Sequence, residues 1–201
     1  MKDELDILRE VGSIASAHAG SALSEILGRR INLLIPSLDF VSSAAAPKKI
    51  NIDQMGIAVI ARLTTGIKGQ AVFMLEEKNA FKLIDLSYKV SEQDKKSDLL
   101  TELGVSTIKE IGNIVMSAYL NAIGLMLKRI VLFLPPAFIS GTFDEILHMV
   151  LSSSKSEDYM LLIEAVFEEP NDKIKGAFYL VLEAQAASDI RNACQQALKE
   201  L

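Results

Sequence analysis

The sequence predicts an α+β fold in which a helix–strand–hairpin–helix module is duplicated with pseudo-two-fold symmetry. Two long stretches with apolar residues at helical spacing begin near residues 3 and 98, and strand-like runs follow each of them. The segments Lys68–Phe73 and Lys175–Leu180 are also alike, with a glycine in second place. Because each half is too small to bury a sheet well on its own, we expect one continuous, mostly antiparallel sheet. The two long helices should lie side by side on one face of that sheet.

The first half is predicted to contain two helices, over 3–27 and 76–90, and three strands, over 31–41, 56–63 and 68–75. Gly28 is placed to end the first helix. Pro36 favours an edge or bulge position in the first strand. A turn at Thr64–Gly66 should join the other two strands into a hairpin, and residues 42–55 are expected to form a loop.

The pattern restarts after the charged stretch 91–98, which we interpret as a linker. The second half is predicted to contain helices over 98–127 and 186–201 and strands over 130–139, 145–152, 160–167 and 175–183. A turn is expected at Ser140–Thr142. The whole chain, 1–201, is therefore expected to form a single domain made of two structural repeats, about 1–95 and 96–201.

The composition argues against several classes of protein. The net charge is −5 and no basic cluster exceeds a pair, so the chain lacks the basic surface that nucleic-acid binding needs. A single cysteine, Cys194, excludes an internal disulfide framework and the usual structural zinc site. The longest uncharged run, 111–127, is shorter than the ~18 to 20 apolar residues of a membrane span, and the N-terminus has no secretory signal. We expect a cytoplasmic protein.

A polar pattern marks the second long helix. Ser106, Glu110 and Asn113 follow one another at steps of four and three residues, so their side chains share one helix face. Pro136 comes after a further 22 residues. The opposite side of the helix carries apolar residues that are expected to be core contacts, namely Ile108, Ile111 and Val115. Taken alone, Glu110 would be an ordinary exposed glutamate.

Nearly the same pattern occurs near the N-terminus. Asp6 and Glu10 stand 100 positions before Ser106 and Glu110, and Pro36 stands 100 positions before Pro136. The position equivalent to Asn113 is occupied by Ser13. A polar helix face with a central glutamate, present twice, indicates a functional site rather than a chance spacing.

These spacings resemble the motif of the CheC/FliY/CheX family of chemotaxis phosphatases: aspartate or serine, then glutamate, asparagine and proline at the same intervals. The two copies in about 200 residues look most like CheC. The second copy matches at all four positions, whereas the first departs at Ser13. The resemblance covers nearly the whole chain. It implies a CheC-like domain that hydrolyses the aspartyl phosphate of a CheY-type response regulator in chemotaxis signalling.

By this resemblance Glu110 and Asn113 are the expected catalytic residues, with Ser106 and Pro136 as supporting motif positions. An amide can hold a water with one atom while the other contacts the phosphoryl group, which suits Asn113 to placing the attacking water. Glu110 could pair with a lysine of the receiver or act as a general base. An acyl phosphate has less need of a base, which favours the docking role. Magnesium is expected on the receiver, and no cofactor on this chain.

The first copy is expected to be a degenerate site. The hydroxyl of Ser13 is too short to span a water and a phosphoryl group together, although Asp6, Glu10 and Pro36 could persist as a docking surface. An alternative function is therefore a non-catalytic docking protein that binds the response regulator or a CheD-type deamidase. A structural role in a flagellar switch, as in the FliY branch, is disfavoured because the sequence ends at Leu201 without an appended switch domain.

Overall fold

The computed structural model describes residues 4–42, 54–88, 101–152, 159–169 and 172–199. Within them the helices are α1 (Glu4–Leu27), α2 (Glu77–Tyr88), α3 (Glu102–Leu127), α4 (Phe143–Leu151) and α5 (Ala184–Lys199). The strands are β1 (Asn32–Ser42), β2 (Met55–Thr65), β3 (Gly69–Glu76), β4 (Leu132–Phe133), β5 (Ala137–Thr142), β6 (Tyr159–Glu169) and β7 (Asp172–Leu182).

The described strands form one antiparallel sheet in the order β1-β6-β7-β3-β2, with β4 and β5 both pairing with the outer side of β2. The two halves contribute equivalent strands: β1 corresponds to β4 and β5, β2 to β6, and β3 to β7. Read from either edge, the sheet therefore has the same order of equivalent strands, as pseudo-two-fold symmetry requires. The pseudo-two-fold axis passes between the central strands β3 and β7, where the equivalent residues Val72 and Tyr179 lie directly opposite each other. The predicted fold class is confirmed.

The long helices α1 and α3 lie side by side on one face of the sheet, together with α2 and α5. Ile108, Ile111 and Val115 are at most 1% exposed, as predicted for core contacts. Tyr119 stacks on Phe178 with ring centroids 4.8 Å apart, which fixes α3 over the centre of the sheet. Small residues of α1 bring the two helices close enough for the Tyr119 and Ser16 hydroxyls to lie 3.4 Å apart.

Both long helices end in the same way. Gly28 and Lys128 adopt left-handed backbone conformations, with φ of 60° and 55°. The N–H groups around each end bond to equivalent carbonyls: Gly28 to Glu25, Arg29 to Ser24, Lys128 to Leu125 and Arg129 to Gly124. Every member of the second set lies 100 positions after its counterpart, so this offset relates α1 and β1 to α3 and β4.

The first strand of each half is interrupted near its proline. In β1 the register with β6 shifts between Leu34 and Ser37, so Pro36 lies at a bulge of an edge strand, as predicted. In the second half a continuous strand over 130–139 was expected, but Pro135 and Pro136 separate β4 from β5. Proline lacks the N–H that a sheet ladder needs, which explains both interruptions.

The strand predicted over 145–152 is wrong, and so is the turn at Ser140–Thr142. Residues Phe143–Leu151 form α4, and residues 140–142 are the end of β5. The Thr142 side chain caps the helix and the Glu145 carboxylate bonds back to the Thr142 N–H at 2.8 Å, a complete capping box. These two hydrogen bonds favour a helix at this point, whereas the apolar residues of the segment alone are compatible with a strand.

The helix α4 packs on the face of the sheet opposite α1 and α3. Its buried residues Ile146, Leu147 and Val150 contact a second apolar cluster that includes Met74 and Met160. Most of the predicted loop 42–55 and the whole linker 91–98 lie outside the described residues, so the domain boundaries stay a prediction.

One described helix, α3, is long and apolar enough to span a membrane by length and composition alone, and half of that stretch is buried inside the fold. A buried core helix has the same composition, because it contacts apolar side chains along its length.

Candidate functional site

The second copy of the motif lies on the outward face of α3. The Thr101 side chain accepts the Gly104 N–H at 3.1 Å and so sets the first turn of the helix. With this start, Ser106 and Glu110 are exposed and Asn113 is half-buried. The structure therefore brings these three side chains to one accessible surface.

Gly112 sets how closely this part of α3 approaches the sheet. A Cβ at Gly112 would lie 2.9 Å from the Cβ of Val59, so only glycine permits the observed contact with β2. Val59 pairs with Phe138 of β5, and β5 begins directly after Pro136. Asn113 and Pro136 are thereby held at the same edge of the sheet. Gly112 lies outside the four-position motif, but a glycine also stands 100 positions earlier, at Gly12, so the repeat itself marks this position.

The side chains of Glu110 and Asn113 make no hydrogen bond or ion pair with the part of the chain that the structure describes. Each carries full hydrogen-bonding capacity at the surface: two carboxylate oxygens on Glu110, and an amide oxygen and NH₂ group on Asn113. Because these groups have no partner in the described part of the chain, they can contact an external phosphoryl group, water or cation without first breaking a bond there.

The first copy differs in this respect. The Ser13 hydroxyl donates to the carbonyl of Arg9 at 2.9 Å, and the Arg9 guanidinium pairs with Asp6 at 3.0 Å. Glu10 is exposed but has an internal partner. The Ser13 hydroxyl and the Asp6 carboxylate are thus engaged within α1 itself.

A groove of about 830 Å³ lies between α1 and β1, and residues of the first copy line it from both sides. Ser13 and Ala17 line it from the helix, and Leu34 and Pro36 line it from the strand. Ser13 and Pro36 therefore line the same groove. Because α1 packs on β1 and α3 on β2 and β5, the two copies lie at opposite edges of the sheet.

The described residues offer neither a nucleophilic cysteine nor a cluster of metal ligands. Cys194 is fully buried, and burial raises the pKa of its thiol to about 11, which disfavours the nucleophilic thiolate. Residues 4–42, 54–88, 101–152, 159–169 and 172–199 contain no group of three His, Cys, Asp or Glu side chains placed to hold a metal ion.

Known proteins are similar to this chain in sequence and in fold. Residues 98–140, which hold the complete second copy, match the CheC-like family. The chain is 25% identical over 136 residues to the CheY-P phosphatase CheC of Bacillus subtilis (strain 168), covering 63% of this chain and 61% of the relative. The match thus spans less than two thirds of that relative's length.

Two solved structures have a similar fold. The crystal structure of Thermotoga maritima FliY matches with a TM-score of 0.78 and 22% identity, covering 98% of both chains. The CheX–CheY–BeF₃–Mg²⁺ complex of Borrelia burgdorferi matches with a TM-score of 0.53 and 17% identity, covering 84% of this chain and 96% of that chain. The chain is therefore similar to the CheC-like family over residues 98–140, and its fold is similar to those of the FliY and CheX structures.

Proposed function

We propose that this protein hydrolyses the aspartyl phosphate of a CheY-type response regulator through a single site formed by Glu110 and Asn113. The observation that carries the proposal is the contrast between the two copies. Glu110 and Asn113 are accessible and have no internal partners among the described residues, whereas Ser13 and Asp6 are bonded to Arg9. The relative named CheY-P phosphatase and the CheX structure solved with CheY support the choice of substrate.

The reaction is the attack of water on the phosphorus of the acyl phosphate. The bond between phosphorus and the aspartate oxygen breaks, the carboxylate leaves with the electron pair, and inorganic phosphate is released. Asn113 accepts a hydrogen bond from the attacking water through its amide oxygen, while its NH₂ group donates to a phosphoryl oxygen. Because phosphoryl transfer is mainly a matter of positioning and charge, alignment of the water is the principal contribution of this chain.

Glu110 lies one turn before Asn113 and fixes the docking register. Its carboxylate pairs with a lysine of the receiver, so that α3 enters the receiver's active site with Asn113 next to the phosphoryl group. Ser106 shapes the helix face one turn earlier, and Pro136 directly precedes β5 beside the site. The magnesium ion is held by the receiver's own carboxylates, and both proteins act in the cytoplasm.

The first copy is a lapsed site in this proposal. Its serine bonds to the helix backbone and offers no amide, so Asp6, Glu10, Ser13 and Pro36 contribute at most a docking surface. A CheD-type deamidase remains a candidate partner for that surface.

The test is the decay of a phosphorylated CheY-type receiver with magnesium in the presence of wild-type protein and Asn113→Ala. We expect wild type to accelerate decay and Asn113→Ala to lose on the order of 10²-fold. Asn192→Ala is the matched control, because Asn192 is an exposed asparagine on a different helix, α5. If wild type leaves the decay of several cognate receivers unchanged, the catalytic proposal is wrong and a docking function is the better account.

A further inference from the structure

The corner where α3 turns into β4 exposes large apolar side chains. Leu125 is 77% exposed, Ile130 74% and Leu132 52%. We define these three residues as the α3 corner. Soluble proteins expose single apolar residues routinely, but a group of this size at one corner indicates a binding surface.

The duplication shows that the fold does not require apolar residues there. At the equivalent positions, 100 residues earlier, the first half carries Glu25, Arg30 and Asn32, and all three are exposed. The helix ends around them have the same backbone conformation and the same carbonyl partners. The same backbone thus accepts a charged and polar set in one half and an apolar set in the other.

The corner adjoins the helix face that carries the proposed site. In the first half, Ser21 and Ser24 of α1 line one groove together with Arg30 and Asn32. By the 100-residue offset that relates α1 and β1 to α3 and β4, the counterparts of Ser21, Arg30 and Asn32 are Asn121, Ile130 and Leu132. Along α3 the accessible positions then run from Glu110 and Asn113 through Asn121 to Leu125 at helical spacing.

The distances fit one interface. Leu125 lies 12 residues beyond Asn113, or about 18 Å along the helix at 1.5 Å per residue. A standard protein–protein interface covers about 800 Å² on each partner, a patch about 30 Å across. A receiver centred over the middle of α3 therefore covers both Asn113 and Leu125. Polar contacts at Glu110 and Asn113 supply register, whereas buried apolar anchors supply most of the affinity.

Pairing through the sheet edge is disfavoured at this corner. The edge strand β4 has only two residues, Leu132 and Phe133, and Pro135 and Pro136 follow it without N–H groups for a further ladder. A partner must therefore bind through the side chains.

We infer that the α3 corner is the apolar anchor for the response-regulator receiver, and that it gives the second half its affinity for this substrate. The inference rests on the proposed function. It assigns to the corner a role in binding and none in the chemical step.

The test replaces the corner by the residues of the first half: Leu125→Glu, Ile130→Arg and Leu132→Asn together. This change leaves the net charge at −5 and introduces only residues that the same backbone already accepts. Met149→Asn is the matched control, because Met149 is 50% exposed on α4, at the opposite face of the sheet. Thermal unfolding confirms that each variant is folded.

We expect the triple variant to raise KM for the phosphorylated receiver at least about tenfold while kcat stays within about twofold. Its Kd for the receiver loaded with beryllofluoride and magnesium should rise equally, and the control should match wild type. If wild type and the triple variant bind the receiver equally, the inference is overturned. Light scattering that shows a wild-type dimer, lost in the triple variant with KM unchanged, would instead assign the corner to a second copy.

The same data separate this inference from the proposed function. Loss of receiver binding in the triple variant supports the corner even if wild type never accelerates decay. If Asn113→Ala abolishes acceleration while the triple variant keeps the wild-type KM, the catalytic proposal stands and the corner inference fails.

Discussion

Gly28 and Lys128 end the two long helices in the same left-handed conformation, with φ of 60° and 55°. Glycine adopts this conformation at no steric cost, whereas a residue with a Cβ is strained by about 1–2 kcal/mol. One helix end is therefore relaxed and the other is strained, although the hydrogen bonds around them are equivalent.

Replacing Lys128 by glycine should stabilise the protein. We expect Lys128→Gly to raise the free energy of unfolding by about 0.5–1 kcal/mol. This gain is smaller than the strain that is relieved, because glycine has more conformational freedom in the unfolded chain and loses more of it on folding. The reciprocal change, Gly28→Lys, should lower it by a similar amount. Urea unfolding of both variants measures these values. Equal stability of Gly28→Lys and wild type would contradict the equivalence of the two ends.

Gly112 should be required for the position of α3. An added Cβ would lie 2.9–3.1 Å from the side-chain carbons of the stiff, β-branched Val59, so the helix must move. We expect Gly112→Ala to cost about 1–3 kcal/mol of stability and to lower phosphatase activity.

The matched control is Gly104→Ala in the same helix. Its new Cβ would meet the mobile end of the Ile84 side chain at 3.1 Å, and alanine is the better helix former by about 1 kcal/mol. Stability at or above wild type is therefore expected, as measured by urea unfolding. If both glycine variants behave alike, the contact with Val59 does not position the helix.

The buried Tyr119 should make the protein sensitive to alkali. Burial raises its pKa from 10.0 to about 12, against a smaller lowering by the bond to Ser16. Because the pKa of Tyr119 is higher in the folded state than in the unfolded state, the neutral tyrosine stabilises the fold. This contribution to stability is complete below pH 10 and is lost as the pH rises through about 12. Tyr119→Phe should therefore lose less stability than wild type between about pH 9 and about pH 11.5. Identical pH profiles of the two proteins would show that Tyr119 is not the titrating group.

Glu110 should act in docking rather than as a general base. In that case Glu110→Gln raises KM for the phosphorylated receiver about tenfold and leaves kcat nearly unchanged, because the amide loses the charge that pairs with a lysine. Glu102→Gln, an exposed glutamate in the first turn of α3, is the control and should leave both constants unchanged. A fall in kcat at unchanged KM would assign the base role to Glu110.

The periodic elements could be predicted because their signals are local. Helices α1 and α3 follow from apolar spacing, and the β2–β3 hairpin follows from the turn at Gly66. The strand predicted over 145–152 is wrong because the apolar residues of this short segment fit either a helix or a strand by composition, whereas the capping box at Thr142 and Glu145 favours the helix. That signal was present in the sequence.

The candidate site was predictable only in part, because some of its contacts join residues that are distant in the sequence. Spacing placed Ser106, Glu110 and Asn113 on one face, since a helix repeats at fixed intervals. The contact of Gly112 with Val59 joins residues 53 positions apart, so no local pattern reports it. The hydrogen bond from the Ser13 hydroxyl to the Arg9 carbonyl likewise depends on the Ser13 rotamer, which the sequence pattern does not specify.

The most direct test of the account is the effect of Asn113→Ser on the decay of a phosphorylated receiver with magnesium. This substitution gives the second copy the residue that the first copy carries. If the second copy is the single working site and the amide is essential, acceleration by Asn113→Ser should fall on the order of 10²-fold, and Ser13→Asn in the wild-type background should add activity. Wild-type acceleration by Asn113→Ser would contradict the account, because a hydroxyl would then suffice and Ser13 could not mark a lapsed site.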